Sequence, residues 1–268
     1  MPIMAHMIPF FPDLPRSHRV ARALIDGGAR YLEIQFPYSD PTADGPDIQG
    51  AGAQALARGF TVRAGWDFIA SLREGDGSPE QTPLFVMGYA GLVFAHGIDR
   101  FVARAAELGV EGVIVPDLPL DSDEGLLEAG ARHGVNIVPV IALGAAPHRV
   151  ALVHEARTRY IYASLRRGIT GSHTDIGEEN IAFMEELGSR GARVLAGFGV
   201  ATAEQVRAVT GHAHAAVVGS AFVRALRALE QEADNAKADP ADHDPDPYGR
   251  VRALVERLTG LEARNGPD

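Results

Sequence analysis

Val194-Leu195-Ala196-Gly197, then the stretch from Thr202 to Val209, then Ala215-Ala216-Val217-Val218-Gly219 form one unit of a repeat. A short apolar run leads through a turn into an amphipathic segment and out into another short apolar run. Thr202 is the N-cap of the helical part, with Glu204 in its first turn where the helix dipole favours an acid. The flanking runs are short and lack clean alternation, which suits strands buried on both faces of a parallel sheet. The unit recurs towards the start of the chain. Further runs lie at Ile3–Pro9, Tyr31–Phe36, Leu84–Tyr89, Gly112–Pro116, Asn136–Ala142 and Arg159–Leu165. Helical spacing falls at Ser17–Gly27, Ile98–Leu108, Asp121–His133 and Glu179–Leu187, several ending at a glycine C-cap. Eight such runs in under 230 residues predict a closed (β/α)8 TIM barrel, an α/β fold, ahead of an open doubly wound sheet.

Two stretches break the rhythm. Between Phe36 and Leu84 lies a long insertion that begins with Pro37–Ile48 and holds two helices. Long loops in compact domains are usually functional or disordered, and the helical content here favours function. Beyond the barrel, expected over 1–230, residues 231–247 turn acidic and proline-rich and read as a solvated linker. Residues 248–268 then supply a final helix, near Tyr248–Leu258, and a tail belonging to the same domain.

Composition narrows the function. The 268 residues are 46% hydrophobic and 22% charged, as in ordinary globular proteins. A net charge of −10 with no basic cluster argues against a nucleic-acid partner. With no cysteine, disulfides, thiolate metal sites and a cysteine nucleophile are excluded. No apolar run approaches the ~20 residues of a membrane span, and the start lacks the basic region of a signal peptide. The expectation is a cytoplasmic protein.

In a barrel, chemistry gathers at the C-terminal ends of the strands. Three glycine-rich turns fall there late in the chain: Gly168-Ile169-Thr170-Gly171, Gly197-Phe198-Gly199 and Gly219-Ser220. Single glycines serve tight turns. Three on neighbouring strand ends, with a helix starting near Ser220, predict a phosphate site. Glu33 sits inside the apolar run Tyr31–Phe36, and a carboxyl taken out of water holds its proton more tightly, as general acid–base work requires. A structural Glu paired with Arg is the plainer alternative, but Asp40 and Asp44 in the loop directly after this strand strengthen the catalytic one. Metal and triad readings fail. His212 and His214 lack a third ligand, and Ser172-His173-Thr174-Asp175 has no nucleophile elbow. His6 is either a core histidine bonded to backbone or an inward-facing pocket residue.

The run Leu32-Glu33-Ile34-Gln35-Phe36-Pro37-Tyr38-Ser39-Asp40-Pro41-Thr42-Ala43-Asp44-Gly45-Pro46-Asp47-Ile48-Gln49 resembles the hallmark of the tryptophan synthase alpha subunit family. The likeness continues through Tyr89-Ala90, Leu92-Val93-Phe94, Val115-Pro116-Asp117-Leu118-Pro119 and the three glycine turns, in family order. It implies cleavage of indole-3-glycerol phosphate to indole and glyceraldehyde 3-phosphate in tryptophan biosynthesis. Glu33 would be the acid–base group at the indole carbon, and Asp44 would stabilise charge at the indole nitrogen. Gly171, Gly199, Gly219 and Ser220 would hold phosphate, while Tyr89, Tyr162, Thr170 and Phe198 would bind the rest of the substrate. No cofactor is implied in this chain. Pyridoxal phosphate would belong to a beta-subunit partner in an alpha2beta2 assembly. The alternatives are a stand-alone or paralogous lyase of a specialised pathway, or a weakly active activator of a beta subunit. Five departures stand out: the family's usual N-terminal helix is missing from the pattern, and His6, Gln35, Gly91 and Leu165 replace usual residues.

Overall fold

The computed structural model describes residues 1–74, 82–166, 176–236 and 248–261, with side chains to residue 232 in the third stretch. Nine parallel strands make one sheet: β1 (Ile3–Met7), β2 (Tyr31–Gln35), β3 (Leu84–Met87), β4 (Gly112–Ile114), β5 (Asn136–Val138), β6 (Val140–Ala142), β7 (Tyr160–Ser164), β8 (Arg193–Gly197) and β9 (Ala215–Val218). Their order is β5-β4-β3-β2-β1-β9-β8-β7-β6, and every neighbouring pair is parallel.

Eight runs become nine strands at Pro139. Proline has no N–H to give to a ladder, so the run Asn136–Ala142 is divided there. Its first half pairs with β4 and its second with β7. The Pro139 carbonyl still accepts from the Tyr162 N–H at 2.9 Å. One run therefore faces both neighbours, and the sheet returns on itself as a barrel.

Side chains alternate between the barrel interior and the surrounding helices. The interior is filled by Met4, Tyr31, Phe85, Ile114, Tyr160, Leu195, Ala215 and their neighbours, all buried. Tyr31, Phe85 and Tyr160 meet edge to face, with ring centroids 5.1–6.4 Å apart. The same period carries the next inward positions towards the C-terminal end, where the residues become polar. Met4 is followed by His6, Tyr31 by Glu33 and Gln35, and Tyr160 by Tyr162. Aromatic packing plugs one end of the barrel, and polar groups occupy the other.

Around the barrel run α1 (Leu14–Asp26), α2 (Pro46–Ala57), α3 (Val62–Glu74), α4 (Ala90–His96), α5 (Ile98–Glu107), α6 (Leu126–His133), α7 (Pro147–Ala156), α8 (Glu178–Gly188), α9 (Ala203–Thr210), α10 (Ser220–Ala236) and α11 (Gly249–Thr259). The two helices expected in the insertion are α2 and α3. Helix α1 starts earlier than the expected Ser17, because Asp13 caps it by accepting from the Arg16 N–H at 2.8 Å and a proline lies in its first turn. Helix α6 starts later than the expected Asp121. A 3-10 turn at Leu120–Ser122 and the left-handed Gly125 intervene, and the Asp123 carboxylate accepts from the Gly125 and Leu127 N–H groups. Thr202 caps α9 as expected, and the Gln205 side chain completes the box by accepting from the Ala201 and Thr202 N–H groups. Helix α10 runs to Ala236, past the 230/231 boundary where a linker was expected to begin. Helix α11 packs on α1, and Gly27 makes that approach feasible: a Cβ there would lie 2.7 Å from Val255 Cβ.

Candidate active site

A cavity of about 160 Å3 opens at the C-terminal end of the barrel, between β1, β2, β7, β8 and the start of α10. Adjacent strands place its acidic floor. His6 on β1 and Glu33 on β2 are paired in register, so both point inward at the same height. His6 Nδ1 lies 2.9 Å from Glu33 Oε1, with the two side chains 4% and 1% exposed. The other atoms of each group, His6 Nε2 and Glu33 Oε2, are buried and have no partner among the described residues. Buried polar atoms are seldom left so unless a ligand or water completes them.

Gln35, two residues on from Glu33 and on the same face, connects the strand to the loop that follows it. Its Nε2 donates to Asp44 Oδ2 at 2.6 Å. Asp44 is 3% exposed, and burial raises its carboxyl above the ordinary range. The Gln35 hydrogen bond pulls the other way. Asp44 thus lines the cavity, tied to the strand through Gln35. The loop is held at two further points: Gln49 Nε2 donates to the Asp44 carbonyl at 2.8 Å, and the Ala43 N–H donates to the Tyr89 hydroxyl at 3.2 Å.

Tyr89, expected in the substrate wall, is fully buried and does not line the cavity. It stacks on Tyr38 at 5.6 Å and anchors the Asp44 loop from behind. Burial, then the nearby Asp44 charge, pushes its hydroxyl far above the ordinary tyrosine range. Gly91 permits this stack, since a Cβ there would lie 2.2 Å from the Tyr38 hydroxyl. Tyr162 does line the cavity, and burial followed by the Glu33 and Asp44 charges keeps its hydroxyl protonated. Gly197 leaves room for it, as a Cβ there would stand 2.9 Å from the Tyr162 oxygen. Phe198 meets Tyr162 edge to face at 5.7 Å. It does so from a left-handed backbone, φ 73°, a conformation costing a non-glycine residue of order 1–3 kcal/mol and found mostly at functional sites.

Gly199, Gly219 and Ser220 come together at the opposite wall, with Ser220 opening the long helix α10. Unpaired N–H groups and the positive end of the helix dipole favour an anion there. The sequence reading missed Arg224, one turn further along, which also lines the cavity and is held by Asp47 at 2.9 Å. Leu165, by contrast, is a buried structural residue whose carbonyl accepts from Asn180 Nδ2 at 2.8 Å. Thr170 and Gly171 lie outside the described residues. Among the described residues no group of three His, Asp or Glu side chains is arranged to hold a metal ion, and no helix is long and apolar enough to cross a membrane. His212 pairs with Glu185, and His214 with the Tyr31 hydroxyl.

The family model of the tryptophan synthase alpha chain matches residues 3–244. The chain belongs to the tryptophan synthase alpha chain family. It is 40% identical over 233 residues to the tryptophan synthase alpha chain of Deinococcus radiodurans, covering 84% of this chain and 83% of that one. To that of Helicobacter hepaticus it is 33% identical over 263 residues, covering 97% and 96%. Among solved structures, Mycobacterium tuberculosis tryptophan synthase superposes with a TM-score of 0.81 at 28% identity, covering 97% of this chain and 91% of that one. A mutant tryptophan synthase alpha subunit from Pyrococcus furiosus does so with 0.81 at 25% identity, covering 97% and 98%. The expected alpha-chain barrel is therefore the fold observed. Two of the residues set apart from the family pattern, His6 and Gln35, are the ones bonded to Glu33 and Asp44.

Proposed function

We propose that this chain cleaves indole-3-glycerol phosphate to indole and glyceraldehyde 3-phosphate, as the alpha subunit of a tryptophan synthase. The observation that carries the proposal is the pair of carboxylates on one cavity. Glu33 presents an unpartnered oxygen, and Asp44 reaches the same space from its loop. A retro-aldol cut of this substrate requires a proton delivered to the ring carbon and charge managed at the ring nitrogen. Glu33 delivers the proton, and Asp44 holds the nitrogen's N–H. Tyr162, Phe198, Met87 and Val217 flank the flat ring. The phosphate is received by the backbone of Gly199, Gly219 and Ser220 with Arg224 alongside; the family resemblance adds Gly171 to the phosphate residues and Thr170 to those for the rest of the substrate. Burial of both carboxylates away from bulk water strengthens their action on the developing charges.

The partner is a tryptophan synthase beta subunit, in an alpha2beta2 assembly in the cytoplasm. Pyridoxal phosphate is the beta subunit's cofactor, and none of the steps assigned here calls on it. The test is indole release from indole-3-glycerol phosphate by the purified chain, with and without a beta subunit. Release that rises on adding the beta subunit supports the proposal. No release in either case overturns it.

A further inference from the structure

His6 lines the same cavity as Glu33 and carries a second unmet atom beside it. We propose that His6 is a second proton carrier of the reaction, taking the proton of the substrate hydroxyl while Glu33 gives one to the ring carbon. This rests on the reading of the reaction above.

The argument starts from the orphaned atoms. Glu33 Oε1 and His6 Nδ1 satisfy each other at 2.9 Å, which leaves Oε2 and Nε2 unmet on side chains that both line the cavity. With the Nδ1–H donating to the carboxyl, Nε2 is the lone-pair nitrogen, an acceptor and a base. The ring is held on its other side as well. Its other face lies against Gly219, where even a Cβ would come within 3.3 Å of the ring. A ring without nitrogens would fill the same space and leave Glu33 Oε1 without its partner.

The chemistry has a matching need. Glu33 first gives its proton to the ring carbon, and the ring N–H proton passes towards Asp44. The hydroxyl proton then moves to His6 Nε2, and the O–H electron pair becomes the C=O bond of the aldehyde. The carbon–carbon bond breaks, its pair forms the ring double bond, and the nitrogen takes back its proton from Asp44. One proton has left the hydroxyl and one has arrived at the ring carbon. The Glu33–His6 pair ends with the number it began with, because the proton gained at His6 replaces the one Glu33 lost. Across their 2.9 Å contact Nδ1 hands its proton to Glu33 Oε1 as Nε2 gains one, and exchange with water once the products leave restores the starting positions of the protons.

Two reactions separate this from mere positioning of Glu33. Cleavage needs both proton transfers. Exchange of the ring-carbon hydrogen of free indole in D2O needs Glu33 and no hydroxyl base. H6N keeps a donor for Glu33 Oε1 without a basic nitrogen, and H6F removes both. The expected result for H6N is a kcat for cleavage lowered about 10²-fold or more, in line with general-base contributions, with KM little changed and indole exchange followed by NMR falling far less. Parallel loss of cleavage and exchange in H6N makes His6 a positioning residue and overturns the proposal. So does normal cleavage by H6F. If the unaltered enzyme exchanges indole yet never cleaves the phosphate substrate, the reading of the reaction falls first, and this proposal with it.

Discussion

Gln35 and Asp44 are joined side chain to side chain at 2.6 Å, tying the rigid second strand to the loop that follows it. A loop carboxylate in a barrel enzyme is often free to wander, and here a strand residue holds it. Truncating Gln35 to Ala leaves Asp44 buried with its principal donor gone. Q35A is expected to lose about 1–3 kcal/mol of stability, the usual cost of an unsatisfied buried group, and to lower kcat. Denaturant unfolding with a matching activity assay checks both.

Asp44 also sets a pH dependence. Its folded-state pKa is raised, chiefly by burial, so between the unfolded and folded values the folded protein binds more protons than the unfolded one. Stability from this group therefore falls as pH rises from the ordinary carboxylate range through the raised value, and is constant above it. D44N removes the effect. Its melting temperature should match or exceed that of the unaltered chain at pH 7, with the margin vanishing near pH 4, while activity at pH 7 is lost.

Replacing Glu33 by Gln keeps shape and removes the proton. E33Q is expected to lower kcat about 10²-fold or more with a far-ultraviolet spectrum unchanged. Near-normal turnover would take Glu33 out of the mechanism.

Gly91 and Tyr38 give a test of packing whose size depends on background. Gly91 lies in α4, where Gly to Ala ordinarily stabilises by about 1 kcal/mol. A Cβ 2.2 Å from the Tyr38 hydroxyl makes G91A destabilising instead. Combined with Y38F, which deletes that oxygen, G91A should recover most of the loss. Four unfolding curves form the cycle.

Inorganic phosphate at saturation should slow amide exchange at Gly199, Gly219 and Ser220, whose N–H groups become donors to the anion. Unchanged exchange there would place the phosphate elsewhere.

The fold was legible wherever packing imposes a period. Apolar runs marked every strand, and the cap at Thr202 marked α9 to within a residue. Helix α7 left little trace, because only Val150 and Val153 of its ten residues are buried and no stripe forms. Helix α4 is seven residues long, too short for a period to show. Pro139 was visible, but its effect on the ladder depends on which neighbours the run pairs with. Glu33 and His6 could be found because a charged or polar residue inside an apolar run is costly. Arg224 could not, since an arginine on an amphipathic helix reads as solvated. The Gln35–Asp44 bond is a product of how the loop folds back, which no spacing encodes.

Pro139 has a bearing on where the ring is joined. The order of nine strands puts β1 at the centre of the row and the divided run at both ends, so in the closed ring the break lies across the barrel from β1. Each half of that run is only three residues long and is bonded to one side alone. The join of the ring is thus set across the barrel from His6 and Glu33, whose own two strands share an unbroken register of four residue pairs.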